Sequence, residues 1–301
     1  MAQDRRLTKI FFTGVTLLLS AAVPALSQPA LNLPDDEDGF GERLRQENGA
    51  KSSRFAILAH KPNYFLPLSY VPSQKNHAYD SFAGRAGELD NLEVKFQLSF
   101  KIPLYEDLFG GKADIYAAYT QLALWQAYNA KISAPFREIN YEPEAFISYR
   151  TDIRAYGFKL KSLSFGINHQ SNGQIEPISR SWNRLVGGVA VQKGKNYFFL
   201  RQWVRMPEKA NGNDNPGMGK YMGYGDLLWT RNSRSNSLSI LLRNNLRSDD
   251  NKGALQVEWG FPLHRKLKGY AQFFTGYGES LISYNRPVTR IGLGVALTDW
   301  I

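Results

Sequence analysis

The chain has 301 residues, no cysteine, 13% aromatic residues and a formal net charge of +10. Without cysteine there is no disulfide framework, no thiol nucleophile and no thiolate metal site. A hydrophobic fraction of 43% argues against a bundle of membrane helices. It does not exclude a membrane β-barrel, in which lipid-facing and interior residues alternate and the apolar half is averaged away.

At the N-terminus Arg5, Arg6 and Lys9 precede an apolar run from Ile10 to Val23, and Ala25-Leu26-Ser27 offers small residues before Gln28. This is the pattern of a secretory signal peptide over 1–27, cleaved after Ser27. The run is too short for the ~20 residues of a membrane-spanning helix. The leader carries net +2, from three basic residues against Asp4, and leaves +8 on the mature chain. Export directs that basic surface to anionic lipid or lipopolysaccharide and away from nucleic acid.

Residues 28–53 are polar, contain Pro, Asp and Glu, and keep no sustained period, so an irregular arm is predicted there. From residue 54 onward, segments of about 9 to 16 residues alternate with Gly, Pro, Asn and Asp clusters. Leu92, Val94, Phe96, Leu98, Phe100, Ile102 and Leu104 share one face of a strand, with Glu93, Lys95, Gln97, Ser99 and Lys101 on the other. Gln121 falls in mid-strand on the parity of Ile115 and Tyr119, although Leu122 and Leu124 leave its face ambiguous. Leu255 to Leu263 and Ile291 to Leu297 alternate with small or polar residues in the same way. Strands of this length cross a bilayer when tilted. The expected fold is all-β, an antiparallel transmembrane barrel of about 12 strands over 54–301, with large apolar residues outward and a lumen filled by polar side chains.

One strand carries more than packing. Leu163, Phe165, Ile167, His169 and Ser171 share the outward parity, whereas His60 and His264 read as ordinary polar surface residues. Residues two apart on a strand lie about 6.5 Å apart on the same face, within reach of a serine-to-imidazole hydrogen bond. The next strand puts Asn183 on the parity of Leu185, Val189 and Val191, and a hairpin folded around Pro177 would set Ser171 opposite Asn183. A nucleophile, a base and a group that orients the base would then meet on the lipid side, the asparagine avoiding a carboxylate at a lipid boundary. Taken by itself the spacing also fits a hydrogen-bonded polar rim.

The stretch Gly166-Ile-Asn-His-Gln-Ser-Asn-Gly173, followed by Ser179-Arg-Ser-Trp-Asn-Arg184, resembles the signature of the bacterial outer-membrane phospholipase A family. Val94-Lys-Phe-Gln-Leu-Ser99, Tyr119-Thr-Gln121, Pro135-Phe-Arg-Glu138, Asn140-Tyr-Glu-Pro143, Lys220-Tyr-Met-Gly-Tyr224 and Gly276-Tyr-Gly-Glu-Ser-Leu281 are similar to family segments in family order. The resemblance implies a carboxylic ester hydrolase of the outer membrane acting on phospholipids and lysophospholipids. It implies Ser171 as nucleophile, His169 as base, Asn183 as the orienting residue, and the Gly173 N–H with a calcium ion at the oxyanion. It further implies calcium ligands at the Ser179 hydroxyl, the Gln174 carbonyl and the Ser133 hydroxyl of a second protomer, in a homodimer with Gln121 at its interface. Position 174 is Gln where family members carry Arg, which leaves a carbonyl ligand intact. A diffusion porin, a structural barrel and a lipid A deacylase are the competing readings.

Overall fold

The computed structural model describes residues 47, 49, 56–72, 89–208, 213–233, 236–264 and 267–300. The expected leader therefore lies outside the described residues. Of the arm only Glu47 and Gly49 are described; both are helical, and a Glu47 carboxylate oxygen sits 3.0 Å from Lys101 Nζ.

Among the described residues thirteen strands form one antiparallel sheet. A two-residue strand, β1 (Leu58–Ala59), borders it, and twelve close the barrel: β2 (Asn63–Tyr70), β3 (Leu92–Asp107), β4 (Ala113–Trp125), β5 (Phe136–Ala155), β6 (Phe158–Ser171), β7 (Ser181–Lys193), β8 (Asn196–Arg205), β9 (Gly225–Ser233), β10 (Asn236–Asn244), β11 (Gly253–His264), β12 (Leu267–Tyr277) and β13 (Pro287–Thr298). Neighbours in sequence are neighbours in space, and β13 pairs back onto β2 to complete the ring. Closure leaves no open edge, which is why strands can stand in hydrocarbon at all. Where β2 is too short for β3, β1 pairs with Lys101 and Phe100. Between the two, the Asn63 amide accepts from the Ser99 N–H at 2.7 Å and donates to its carbonyl at 3.0 Å, standing in for a backbone partner.

The predicted alternation holds. Leu98, Phe100, Phe165, Ile167, Trp259, Ile291, Leu293 and Leu297 are exposed on the outer wall, while Glu93, Lys95 and Glu258 are buried in the lumen. Gln121 is resolved to the outer wall: it is paired with exposed Leu98, whereas its neighbours Thr120 and Leu124 are buried inside. Tight connections such as Tyr156-Gly157, both at positive φ, join strands at the end where β13 finishes. The opposite end carries the long connections 126–135, 172–180, 206–224, 245–252 and 278–286. Short turns face the periplasm and long loops the exterior in barrels of this kind.

The lumen is packed with paired charge. Arg137 Nη2 and Arg290 Nη2 each lie 2.8 Å from Glu93 Oε1, and Glu279 takes Arg290 Nε at 2.5 Å and Lys95 Nζ at 3.0 Å. A second set joins Lys61 to Glu142 at 2.7 Å and to Glu144 at 3.3 Å, with Arg184 Nη2 3.1 Å from Glu142. Near the long-loop end Trp182, Trp203, Met218, Met222, Leu281 and Tyr284 form an apolar plug, held under the loops by the short helix Met218–Met222. Arg184 stacks its guanidinium 4.1 Å from the Trp182 ring, linking plug to charge network. Removing one partner from such a network strands the others as buried, uncompensated charges. Arg290→Met should therefore lower unfolding free energy in detergent micelles by about 3–5 kcal/mol, read from denaturant titration of the folded barrel.

Candidate active site

β6 and β7 pair so that His169 faces Asn183, and His169 Nδ1 lies 2.8 Å from Asn183 Oδ1. This corrects the register expected from the sequence. Ser171 is opposite Ser181, not Asn183. The hairpin pivots at Glu176, one residue before the position assumed, because the Asn172 N–H bonds the Arg180 carbonyl at 3.0 Å and closes a loop of seven residues. The correction improves the site, since it sets the orienting amide directly against the imidazole. Ser171 keeps the outward parity of His169, on the same wall as exposed Phe165 and Ile167. Its hydroxyl makes no hydrogen bond among the described residues. Catalytic contacts of this type are often loose until substrate is bound.

The loop that follows is shaped by Asn172, a residue the sequence reading left without a role. Its buried side chain accepts from the Arg180 N–H at 2.9 Å and the Gln174 N–H at 3.3 Å, and donates to the Ile178 carbonyl at 2.9 Å. Gly173 turns the chain at φ 64, and a Cβ there would meet the Tyr141 ring at 3.0 Å. Only glycine takes that conformation without strain. Gly173 is exposed, and its N–H has no acceptor among the described residues.

Ser179 lies on the same loop, and its hydroxyl donates to the Asp214 carboxylate from the 206–224 connection. Gln174 is exposed beside Gly173. Ser133 is exposed on the 126–135 loop at φ 64, and its side chain makes no hydrogen bond to the 172–180 loop. The structure thus gathers Ser179 and Gln174 on one loop and leaves Ser133 on another. Gln121, on the outer wall of β4, accepts from Tyr119 Oη at 3.0 Å. Among the described residues no three His, Asp or Glu side chains cluster as a metal site. Two carboxylates at the site escaped the sequence reading: Asp214 at Ser179, and Glu208, which accepts from Asn183 Nδ2 at 3.4 Å. Both come from the connection after β8, and no local spacing signals that it folds back over β7.

With this geometry in view, the comparisons are consistent with one another. The phospholipase A1 family profile matches residues 40–297. A phospholipase A1 of Klebsiella pneumoniae is 39% identical over 245 residues, covering 81% of this chain and 83% of that protein. A relative from Neisseria meningitidis serogroup B is 40% identical over 255 residues, and the chain spans 65% of its length. Among solved structures, outer membrane phospholipase A from Escherichia coli superposes with a TM-score of 0.77 at 34% identity, over 83% of this chain and 94% of that one. The Salmonella typhi outer membrane phospholipase dimer with bound calcium matches with the same TM-score and identity, over 82% and 94%. A closed twelve-strand barrel with this outward-facing histidine and asparagine, and relatives of this similarity, lead to one conclusion: the chain belongs to the phospholipase A1 family of ester hydrolases, built as an outer-membrane β-barrel.

Proposed function

We propose that the chain is a calcium-dependent phospholipase of A1/A2 and lysophospholipase type, working from the lipid-facing wall of its barrel with Ser171, His169 and Asn183 as its triad and activated by dimerisation. The observation that carries this reading is the 2.8 Å contact between His169 Nδ1 and Asn183 Oδ1 on a membrane-facing surface. Such a contact orients an imidazole so that its other nitrogen can serve as a base. Ser171 Oγ attacks the ester carbonyl carbon and its proton passes to His169 Nε2. His169 then gives the proton to the oxygen of the departing alcohol, and water removes the acyl group from Ser171 by the same exchange. The Gly173 N–H donates to the oxyanion. A substrate with its chains in the bilayer reaches this wall laterally, without crossing the lumen.

Calcium fits the donors present. Hard divalent cations take oxygen ligands, and the 172–180 loop offers the Ser179 hydroxyl, already bonded to the Asp214 carboxylate, and the Gln174 carbonyl. Two oxygens leave a calcium shell incomplete, which suits completion by water and by Ser133 of the partner subunit. When bound, calcium supplies positive charge that stabilises the oxyanion, which a triad with a neutral third member otherwise lacks. The calcium and the dimer described for the Salmonella typhi relative support both features. Gln121, on the outer wall with exposed Leu98 and Phe100 around it, would meet its counterpart in such a dimer. Residues 1–27 would be removed on export, leaving an arm over 28–53 and the barrel over 54–301.

The purified, folded protein should hydrolyse a defined phospholipid with calcium and stop when the metal is chelated, and Ser171→Ala should lose at least ~10³-fold in kcat. Wild-type calcium-dependent turnover by that variant would remove the triad assignment; activity confined to lipopolysaccharide would select a lipid A deacylase instead. Crosslinking in whole membranes should give a larger dimer fraction after perturbation of the outer leaflet than before it. An unchanged fraction would sink gating by dimerisation.

A further inference from the structure

The Asn183 amide points its two polar atoms at different partners. Oδ1 lies 2.8 Å from His169 Nδ1, while Nδ2 donates to Glu208 Oε1 at 3.4 Å. The other Glu208 oxygen is 2.5 Å from Arg205 Nη2. Arg205 is itself held by the Asn215 carbonyl and by Asn213 Oδ1, each at 2.8 Å. The Met206 N–H bonds the Asn183 carbonyl at 2.8 Å, fastening this segment to β7. Glu208 is thus a largely covered carboxylate on a clamped stretch of chain.

An amide can offer an imidazole either its oxygen or its nitrogen, and the two choices demand opposite tautomers. An ionised carboxylate only accepts. With Glu208 on one side, Asn183 must turn its NH₂ that way and its oxygen toward His169. That oxygen also only accepts, so the hydrogen must sit on His169 Nδ1. Nε2 is left with its lone pair free, the state a base for Ser171 needs.

We propose that Glu208 is a positioning residue of the hydrolytic site, fixing the Asn183 amide and through it the His169 tautomer. The proposal rests on the triad reading above. It also accounts for an amide at position 183, since an aspartate there would set its carboxylate against that of Glu208. The charge of Glu208 lies one residue behind the imidazole and is partly offset by Arg205. Other titratable or charged groups near the site are Arg180 and Glu176 on the 172–180 loop, Asp214 from the 206–224 connection, and Tyr141, paired in register with Ser171. None of these bonds Asn183.

The test compares Glu208→Gln, Asn183→Asp, the double variant and Ser171→Ala, each folded in micelles with calcium and assayed on one phospholipid. Glu208→Gln should lower kcat about tenfold with KM unchanged. Its acid limb should move to lower pH, because losing a negative charge makes the imidazolium harder to form. Asn183→Asp should be impaired alone and recover when Glu208→Gln is added. Nitrogen NMR of labelled histidine, which needs no turnover, should show a single Nδ1–H tautomer for His169 in the wild type and in Glu208→Asp, and a mixture in Glu208→Gln. Glu208→Ala supplies the same readings should the glutamine variant not fold.

A wild-type kcat and tautomer in the Glu208 variants, or an Asn183→Asp defect unaltered by them, would overturn the proposal while Ser171→Ala stays inactive. An active Ser171→Ala would instead bring down the triad reading beneath it. The two failures are therefore separable.

Discussion

Every backbone N–H and C=O that stands in hydrocarbon has to find a partner inside the protein, and the rest of this molecule follows from that requirement. The twelve-strand ring meets it by pairing β13 with β2 and β3 with β4, so that no strand is left with an open edge. Once closed, the wall divides every strand by parity into a lipid face and a lumen face. His169 and Ser171 fall on the lipid face with Phe165 and Ile167, while Asn168 falls on the lumen face and bonds Glu142 at 2.8 Å. Adjacent residues on one strand thus belong to different solvents.

The lumen face solves a different problem. A barrel of this width cannot be filled by apolar side chains while the wall outside it is also apolar, because the chain would then have no polar surface to retain. Long charged side chains fill it instead, and each has to be paired where there is no bulk water. Glu93 between Arg137 and Arg290, and Glu279 between Arg290 and Lys95, show how this is met. The apolar plug lies under the long loops, and a cavity of about 210 Å³ lies deeper, around Lys101, Arg150 and Arg201. Such an interior is a scaffold for the wall, and it is poorly suited to the diffusion of solutes.

Much of this was legible along the chain, because period two is a local property. The outward runs Leu92–Leu104 and Ile291–Leu297, and the parity of His169 and Ser171, needed only neighbouring residues. What was not legible depends on loops. Whether Ser171 or His169 faces Asn183 turns on a one-residue shift in the centre of the 172–180 hairpin, set by Asn172 side-chain bonds that no pattern announces. Gln121 could not be assigned because Leu122 and Leu124 are apolar yet point inward. Glu208 and Asp214 arrive from the connection after β8, 25 and 35 residues beyond the groups they touch. The proposed calcium ligands stood on resemblance alone, since hydroxyl and carbonyl oxygens leave no charge signature in a sequence.

These two kinds of legibility correspond to two kinds of rigidity. His169 and Asn183 sit on paired strands, where register and pleat fix the separation of their side chains to within a narrow range. Gly173, Gln174, Ser179 and Ser133 sit on connections whose shape depends on side-chain braces, and on the proposed reading one of them acts only across a subunit boundary. On that reading, a wall that holds the base and its orienting amide permanently, with the proposed metal-binding part left to loops, can be fully folded and still lack a complete catalytic site. On the same reading, that division would let the enzyme reside among its own substrates: the strands keep the His169–Asn183 contact in register, and completion of the oxyanion site would be left to an encounter that the strands do not control.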